Sequence, residues 1–159
     1  HHVVGFELSA LAIDKFFEAL NVKPEKTKQG RFTIHRWDRL EIWEGDFFDI
    51  TADDLPSLDA WYDRAAIVAL SPSLRRRYVD TIWRLLSPEA LGLTLTFAYP
   101  QSEMEGPPFS VGEDDLRQAC AGLFEIQLLE CVDLTEGNRW SLTQVLKPIF
   151  GVRRVHTGV

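Results

Sequence analysis

The sequence predicts an α/β protein with a mostly parallel sheet and helices on both faces. Two observations predict this class. Short apolar runs typical of buried parallel strands alternate along the chain with stretches of helical periodicity. Polar side chains also follow several of these runs directly, and open α/β sheets bind their ligands at such strand ends. Because strands that alternate with helices are joined by right-handed crossovers, the sheet is expected to be covered on both sides.

Composition limits the classes of partner. The chain has 159 residues, of which 45% are apolar and 11% aromatic, so residues 1–159 are predicted to form a single domain. Its formal charge of −7 argues against nucleic acid or an anionic membrane surface as a partner. No apolar run approaches the roughly 20 residues of a membrane span, and the first residues do not resemble a signal peptide. A soluble, cytoplasmic protein is expected.

No metal site or disulfide framework is expected. Cys120 and Cys131 form no CxxC motif and lie in apolar stretches, so both are predicted to be small core residues. The basic run Arg75-Arg76-Arg77 lies within a helical pattern and is predicted to be a solvated helix face.

The first third of the chain predicts a strand, a helix and two extended segments. The strand Val3–Phe6 ends at Glu7, and Ser9 can cap the helix that follows. Residues 22–30 are predicted to be a surface connection, and the two extended segments are joined at Asp38-Arg39. The apolar positions assigned to the core-facing side of the helix are Leu11, Ile13, Phe16, Phe17 and Leu20; the extended segments are Phe32–Trp37 and Leu40–Trp43.

The rest of the chain continues the alternation and ends in an antiparallel pair. Ser71-Pro72 is a strong helix start, with serine as cap and proline at the first helical position. No helical pattern separates the last two extended segments, so they are predicted to pair antiparallel. In chain order, the predicted elements are a strand at Leu58–Tyr62, the helix after Ser71, a strand at Leu91–Ala98, a helix at 113–121, and strands at Phe124–Val132 and Leu146–Val152.

Polar residues at strand ends form the candidate site. Taken singly, Glu7 fits a solvated acid near a helix start, Asp46 fits a turn, and Asp63 beside Arg64 fits an ion pair. Their joint placement favours a ligand site at the carboxyl ends of the strands. A carboxylate there can accept both hydroxyls of a ribose, and Phe47 can pack against a base. The residues therefore predict a pocket for an adenosine-containing cofactor.

The blocks VVGFELSALAIDKFFEAL, GRFT, LEIWEGDFFDI, YDRAAIVALSP and YPQSEMEGPPFSV, in this order, resemble the thiopurine S-methyltransferase family. The resemblance implies a Rossmann-like class I methyltransferase sandwich that binds S-adenosylmethionine. By position it assigns Glu7, with its neighbour Leu8, to the ribose, and Asp46-Phe47-Phe48 to the adenine. Asp63 and Arg64 are both assigned to catalysis. Asp63 is also assigned to cofactor binding, and Arg64 to substrate binding. Pro107, Pro108 and Phe109 are assigned to the substrate wall.

The implied reaction transfers a methyl group to a small thiol or, in a bacterial setting, to a metalloid compound, and leaves S-adenosylhomocysteine. Two alternatives remain open at this stage. The chain could be a non-catalytic Rossmann-like remnant that serves as a binding or interaction domain. A methyltransferase of the same fold could instead act on an oxygen or nitrogen nucleophile.

The sequence departs from the family in two places. Family members carry a strand and a glycine-rich loop before the segment that matches Val3, so an N-terminally truncated sheet with an unpaired edge is expected here. Three explanations of this missing segment stay open: the chain is a fragment, a second copy covers the edge in an oligomer, or the chain is a natural truncated relative. The expected oligomeric state is thus a monomer or a homo-oligomer. Pro148 cannot donate a ladder hydrogen bond, so the last strand is expected to start later or to lie at an edge.

Overall fold

The computed structural model describes residues 1–155. The chain divides into two compact units, a first unit at His1–Ile50 and a second unit at Thr51–Val159. Each unit contains one four-stranded sheet together with helices, so the α/β class is confirmed. The single domain over residues 1–159 stays a prediction. Within the described residues, every helix is too short or too polar to span a lipid bilayer.

The first unit places the ends of two parallel strands side by side. Its sheet has the order β1-β4-β3-β2, and the central pair β3–β4 and the outer pair β2–β3 are antiparallel. Strands β1 and β4 are parallel, and Glu7 is the register partner of Glu44. The elements are β1 (Val3–Glu7), α1 (Ala10–Ala19), β2 (Glu25–Gln29), β3 (Phe32–Trp37), β4 (Leu40–Glu44) and a 3₁₀ turn (Phe47–Asp49).

Two expectations for the first unit are wrong. Residues 22–30 are not merely a surface connection, because β2 lies within them. Its sequence EKTKQ has no apolar alternation, since it is an edge strand whose side chains face water, and lysines suit such an edge. In α1, only Ile13 and Phe17 are buried. Leu11, Phe16 and Leu20 are exposed, because one narrow stripe of this short helix contacts the core.

The second unit also brings several strand ends to one edge. Its sheet has the order β5-β6-β8-β7, with β5 and β6 parallel and β8 antiparallel to both of its neighbours. Strands β5, β6 and β7 therefore run in the same direction. The elements are β5 (Leu58–Asp63), α2 (Ala66–Ala69), α3 (Pro72–Leu85), β6 (Leu86–Leu95), a 3₁₀ turn (Gln101–Glu103), α4 (Glu113–Cys120), β7 (Phe124–Asp133) and β8 (Leu146–Arg154).

Both sheets are mixed, with parallel ladders only at β1–β4 and β5–β6 among residues 1–155. The two-residue links at Gly30-Arg31 and Asp38-Arg39 are too short for a crossover, so β2, β3 and β4 pair antiparallel. The expected antiparallel C-terminal pair is confirmed as β7–β8.

Pro148 does not displace β8, which lies between β6 and β7. The expectation of a later start or an edge position is therefore wrong. The carbonyl oxygen of Pro148 accepts a 3.1 Å hydrogen bond from the backbone N–H of Thr96. Since proline has no N–H, only the return bond is missing, and this single loss is tolerated inside an otherwise complete ladder.

The core of the second unit lies between its sheet and the helices α3 and α4, with fully buried residues such as Val79, Leu116 and Phe150. Arg75 corrects the expectation of a solvated arginine run. It is only 4% exposed, and its guanidinium donates to the carbonyl oxygens of Leu70 and Ser110. Cys120 is buried as predicted, whereas Cys131 is exposed on β7.

Candidate functional site

In the first unit, the candidate site lies where β1 and β4 end. Glu7 is half-buried at the end of β1, directly before α1. Its Oε1 atom accepts a 2.7 Å hydrogen bond from the backbone N–H of Ser9. Ser9 in turn caps α1, since its side chain accepts from the N–H of Ala12. The Glu7 carboxylate is thus held in place through one oxygen. Leu8 beside it is 73% exposed.

Glu44, the register partner of Glu7, is a second carboxylate at this edge. Its Oε2 atom lies 2.7 Å from Nε2 of His35, which is 1% exposed. The His35 ring also stacks on Phe17 of the core, with ring centroids 6.3 Å apart. The Glu44 carboxylate is therefore held by a histidine that is buried in the core. Glu7 differs because the only described hydrogen bond of its side chain is local, to the backbone of Ser9.

The segment after β4 supplies the aromatic part of the site. Asp46 caps the 3₁₀ turn, with its Oδ1 accepting a 2.9 Å hydrogen bond from the N–H of Phe48. The ring of Phe47 meets Phe6 edge to face at a centroid distance of 5.1 Å. The backbone N–H of Gly45 donates to the carbonyl oxygen of Glu7 at 3.0 Å. The structure therefore brings Glu7 and the Asp46–Phe48 segment to one edge, as the sequence predicts.

Gly45 is needed for this approach. Its φ is +155°, and a Cβ atom there would lie 2.6 Å from Cδ1 of Phe32. That ring packs against Trp43 with a centroid distance of 5.4 Å, so it cannot move aside freely. Only glycine fits between β4 and Asp46 without strain.

In the second unit, Asp63 is the last residue of β5 and is 2% exposed. Its carboxylate accepts hydrogen bonds from the N–H groups of Ala65, Ala66 and Ile67, at 3.1, 3.0 and 3.3 Å. The hydroxyl of Tyr78 donates to Oδ2 at 2.9 Å. All four donors come from the protein itself.

Burial sets the charge states of this buried pair. Desolvation raises the pKa of Asp63 above its ordinary value, although the hydrogen bonds from Tyr78 and the backbone act in the opposite direction. Burial, together with the nearby Asp63 charge, raises the pKa of Tyr78 well above its ordinary value. The Tyr78 hydroxyl therefore keeps its proton and acts as the donor.

Arg64 follows Asp63 and is exposed, at the edge where β5, β6 and β7 end. The segment that carries Pro107, Pro108 and Phe109 leaves β6 at the same edge. It reaches α2 through one backbone hydrogen bond, in which the N–H of Phe109 donates to the carbonyl oxygen of Val68 at 2.6 Å. The structure therefore brings Arg64 and the predicted substrate-wall segment to one region of the second unit.

Side chains of Tyr99 and Gln101 hold the substrate-wall segment. The hydroxyl of Tyr99 donates to the carbonyl oxygen of Pro108 at 2.5 Å. The Oε1 atom of Gln101 accepts from the N–H of Ser110 at 2.9 Å, and its Nε2 donates to the carbonyl oxygen of Met104 at 2.5 Å. The segment is thus a hydrogen-bonded loop rather than an open strand, which is the form suited to a wall.

Surface cavities lie elsewhere in the second unit. Two of about 440 and 400 Å³ border the β6–β8–β7 part of the sheet, and both include Glu125 and Ile126. Neither contains a residue assigned from the sequence. In the second cavity the charged groups of Glu125 and Arg153 are paired with each other, so the strand-end arrangement defines the candidate site better than cavity size does.

Sequence reasoning missed three residues that organise these regions. Glu44 lies inside the block LEIWEGD, where the apolar residues predict a strand and nothing distinguishes this carboxylate from that of Glu41. Tyr78 resembled an ordinary core residue of α3. Gln101 had no pattern that would distinguish it from other loop residues.

No group of three or more histidine, cysteine, aspartate or glutamate side chains suited to a metal occurs in the part of the chain that the structure describes.

Comparison with known proteins identifies relatives. The family described as Thiopurine S-methyltransferase matches residues 1–151. A thiopurine S-methyltransferase of Pseudomonas fluorescens strain Pf0-1 is 39% identical over 144 residues, which are 91% of this chain and 65% of that protein. One from Pseudomonas syringae pv. tomato is 44% identical over 125 residues, which are 79% and 57% of the two chains. The chain therefore spans about two thirds or less of these curated relatives.

Solved structures support the fold. A SAM-dependent methyltransferase from Methanosarcina mazei superposes with a TM-score of 0.67 at 16% identity, covering 96% of this chain and 82% of that one. The N-methyltransferase NodS from Bradyrhizobium japonicum, in complex with S-adenosyl-L-homocysteine, gives a TM-score of 0.60 at 13% identity and covers 96% and 66%. At such identities the likeness concerns the fold, which is Rossmann-like.

Proposed function

Because the chain belongs to the thiopurine S-methyltransferase family, we propose that it takes part in methyl transfer from S-adenosylmethionine to a small thiol. The observation that carries this proposal is the family match over residues 1–151. The strand-end residues of both units support it, since each predicted residue lies at a carboxyl edge of its own sheet.

The first unit suits the adenosine half of the cofactor. Glu7 has one oxygen bonded to Ser9, and no donor to its Oε2 atom occurs within residues 1–155. That oxygen is the acceptor proposed for a ribose hydroxyl. Phe47 and Phe48 offer half-buried rings for the adenine, and Asp46 offers its remaining oxygen to the amino group. Leu8, being exposed, is proposed as an apolar contact beside the ribose.

For the methionine half of the cofactor, the sequence offers no glycine-rich loop. None of the ten glycines of the chain lies in a GxGxx arrangement after a strand.

The second unit suits the acceptor. When bound, S-adenosylmethionine supplies a methyl group on a positively charged sulfur. Arg64 is proposed to bind the acceptor as its thiolate, because an exposed guanidinium stabilises a neighbouring anion. Pro107, Pro108 and Phe109 are proposed to exclude water from one side of the acceptor. Positioning and dehydration then provide most of the acceleration, since a direct displacement needs little covalent help.

Asp63 is proposed to act indirectly. Its carboxylate already accepts four hydrogen bonds from the protein, so its contribution to catalysis and to cofactor binding is through the placement of the turn that carries Arg64. Of Asp63 and Arg64, only Arg64 is therefore proposed to contact the acceptor.

The test is methyl transfer by the 159-residue chain. The chain is incubated with S-adenosylmethionine and 6-mercaptopurine, and the methylated thiol is measured by mass spectrometry. We expect Arg64→Ala to lower kcat/KM at least tenfold, as for loss of one electrostatic contact to the reacting anion. Arg84→Ala, which removes an exposed arginine of α3, is the matched control and should match wild type.

Other acceptors and outcomes are separated by the same assay. A panel with selenite, tellurite, a phenol and an amine distinguishes methyl transfer to a metalloid, an oxygen or a nitrogen from methyl transfer to a thiol. Absence of transfer by a folded wild-type chain that also fails to bind S-adenosylhomocysteine favours the alternative of a non-catalytic binding domain. Equal loss in Arg64→Ala and Arg84→Ala contradicts the proposed role of Arg64.

The oligomeric state is proposed as a monomer or a homo-oligomer that covers a sheet edge. Strand β1 pairs only with β4 within the described residues, which leaves its other side for a further strand. Sedimentation equilibrium decides between these states.

A further inference from the structure

The region that carries Arg64 depends on a helix too short to form alone. Helix α2 has four residues, Ala66–Ala69, and its N-cap residue Ala65 makes no side-chain capping bond. Isolated helices of this length are unstable, because the first turn fixes several residues for one hydrogen bond. The turn must therefore be stabilised by hydrogen bonds to residues outside the helix.

Asp63 accepts those hydrogen bonds. Its two carboxylate oxygens accept from the N–H groups of Ala65, Ala66 and Ile67, which are donors that the first turn of a helix cannot satisfy internally. The carboxylate must keep one orientation to reach all three. Arg64 lies between Asp63 and these donors, so its backbone follows that orientation.

Tyr78 fixes the orientation from α3. Its hydroxyl donates to Oδ2 of Asp63 at 2.9 Å, fifteen residues further along the chain, and the tyrosine is 7% exposed. Its ring also meets Trp61 of β5 at a steep angle, with centroids 6.4 Å apart. The ring thus makes an aromatic contact in addition to the hydrogen bond that its hydroxyl donates.

The same turn connects to the substrate-wall segment. Val68 lies in α2, two residues beyond the amide of Ala66, and its carbonyl oxygen accepts the N–H of Phe109. A continuous path of hydrogen bonds and short backbone stretches therefore runs from Tyr78 through Asp63 and α2 to Phe109. Both acceptor-side elements, Arg64 and Phe109, are attached to it.

We propose that Tyr78 is a positioning residue for the acceptor, which acts through Asp63 and α2 on Arg64 and Phe109. This inference rests on the proposed function for its kinetic consequence, but its structural consequence can be measured without activity. Loss of the hydroxyl alone should loosen both acceptor-side elements while leaving the first unit unchanged.

Tyr78→Phe is the direct test, and Tyr62→Phe is the matched control, since Tyr62 is exposed on β5 and its hydroxyl has no hydrogen bond within residues 1–155. Amide hydrogen exchange is measured by NMR in both variants. We expect exchange at Ala66, Ile67 and Phe109 to accelerate about tenfold in Tyr78→Phe, consistent with loss of a hydrogen bond to a buried carboxylate. Tyr62→Phe should exchange like wild type at these three amides.

Kinetics then separate positioning from general stability. In Tyr78→Phe the KM for 6-mercaptopurine should rise about tenfold, which is a larger factor than the rise in the Kd for S-adenosylhomocysteine. Unchanged exchange at Phe109, or faster exchange with an unchanged KM, overturns the proposal. If Tyr78→Phe does not fold, Asp63→Asn is used, which keeps an acceptor for the amides of Ala65 and Ala66.

Failure of the proposed function gives a distinct result. If the wild-type chain transfers no methyl group, the exchange data alone decide the inference. Faster exchange at Phe109 then supports the path from Tyr78, and wild-type exchange there overturns it.

Discussion

The Oε1 atom of Glu7 accepts a 2.7 Å hydrogen bond from the backbone N–H of Ser9, which leaves the second oxygen of this strand-end carboxylate for another donor. The same carboxylate thus stabilises the turn into α1 and presents an acceptor at the sheet edge. Its register partner Glu44 is bonded to the buried His35 instead. Each of the two carboxylates is therefore held through one oxygen, that of Glu7 by the local backbone and that of Glu44 by a buried histidine.

Gly45 should tolerate no side chain. A Cβ atom would lie 2.6 Å from the Phe32 ring, at a φ of +155°. We expect Gly45→Ala to lower the free energy of unfolding by about 1–3 kcal/mol, and to weaken S-adenosylhomocysteine binding by displacing Asp46 and Phe47. Denaturant unfolding and calorimetry measure the two effects.

Gly5→Ala is the control for that substitution, because a Cβ at Gly5 would make only ordinary contacts, 3.8 Å from Ile42. Equal stability of the two alanine variants would show that the approach at Gly45 is not restrictive.

Gln101 should matter for the acceptor and not for the cofactor. Gln101→Ala removes the acceptor for the N–H of Ser110 and the donor to Met104. Since these bonds are exposed, we expect a loss of about 1 kcal/mol in unfolding free energy and a several-fold rise in KM for the thiol. Steady-state kinetics and chemical unfolding test this, with Gln118→Ala on α4 as the control. A larger change in cofactor affinity than in KM would contradict it.

The two thiols should differ sharply in reactivity. Burial raises the pKa of Cys120 to about 12, whereas Cys131 is exposed. Only the thiolate reacts with disulfide reagents, so at pH 8 the folded chain should release one equivalent of the coloured thionitrobenzoate anion from 5,5′-dithiobis(2-nitrobenzoate). Cys131→Ser should release none until it is unfolded. Rapid labelling of folded Cys131→Ser would contradict the burial of Cys120.

Asp63 should give a pH dependence of stability opposite to that of most carboxylates. Its folded-state pKa is raised, chiefly by burial, so its contribution is fully present below the unfolded pKa and is lost as pH rises through the folded value. The unfolding free energy of wild type, minus that of Asp63→Asn, should therefore decrease from about pH 4 upward. Urea unfolding of both proteins across pH 4–8 measures it. A difference that is constant or rises with pH would contradict the direction of the shift.

The sequence predicted most strands and the strand-end residues because these depend on short-range patterns. Apolar runs identify buried strands, and the topology of open sheets then places Glu7 and Asp46 at a ligand edge. Strand β2 escaped prediction because pairing with β3, and not burial, stabilises its polar sequence.

Other features required tertiary information. The burial of Arg75 depends on the carbonyl oxygens of Leu70 and Ser110, which lie in two different segments. Cys131 is exposed although it lies in a largely apolar stretch, because β7 is buried at Phe124 and Ile126 but exposed over most of its later residues. The contact from Tyr78 to Asp63 joins a helix to a strand end, and no local pattern encodes it.

The central claim is that Glu7 binds the ribose of an S-adenosylmethionine-type cofactor. Titration of S-adenosylhomocysteine into the 159-residue chain by calorimetry tests it most directly, because the product binds without turnover. Glu7→Ala is compared with Glu18→Ala, an exposed glutamate of α1. We predict binding that Glu7→Ala weakens at least tenfold and Glu18→Ala leaves unchanged. Binding that is equally strong in wild type and both variants would contradict the assignment of Glu7, and absence of binding by the folded wild-type chain would contradict the claim for this chain as a whole.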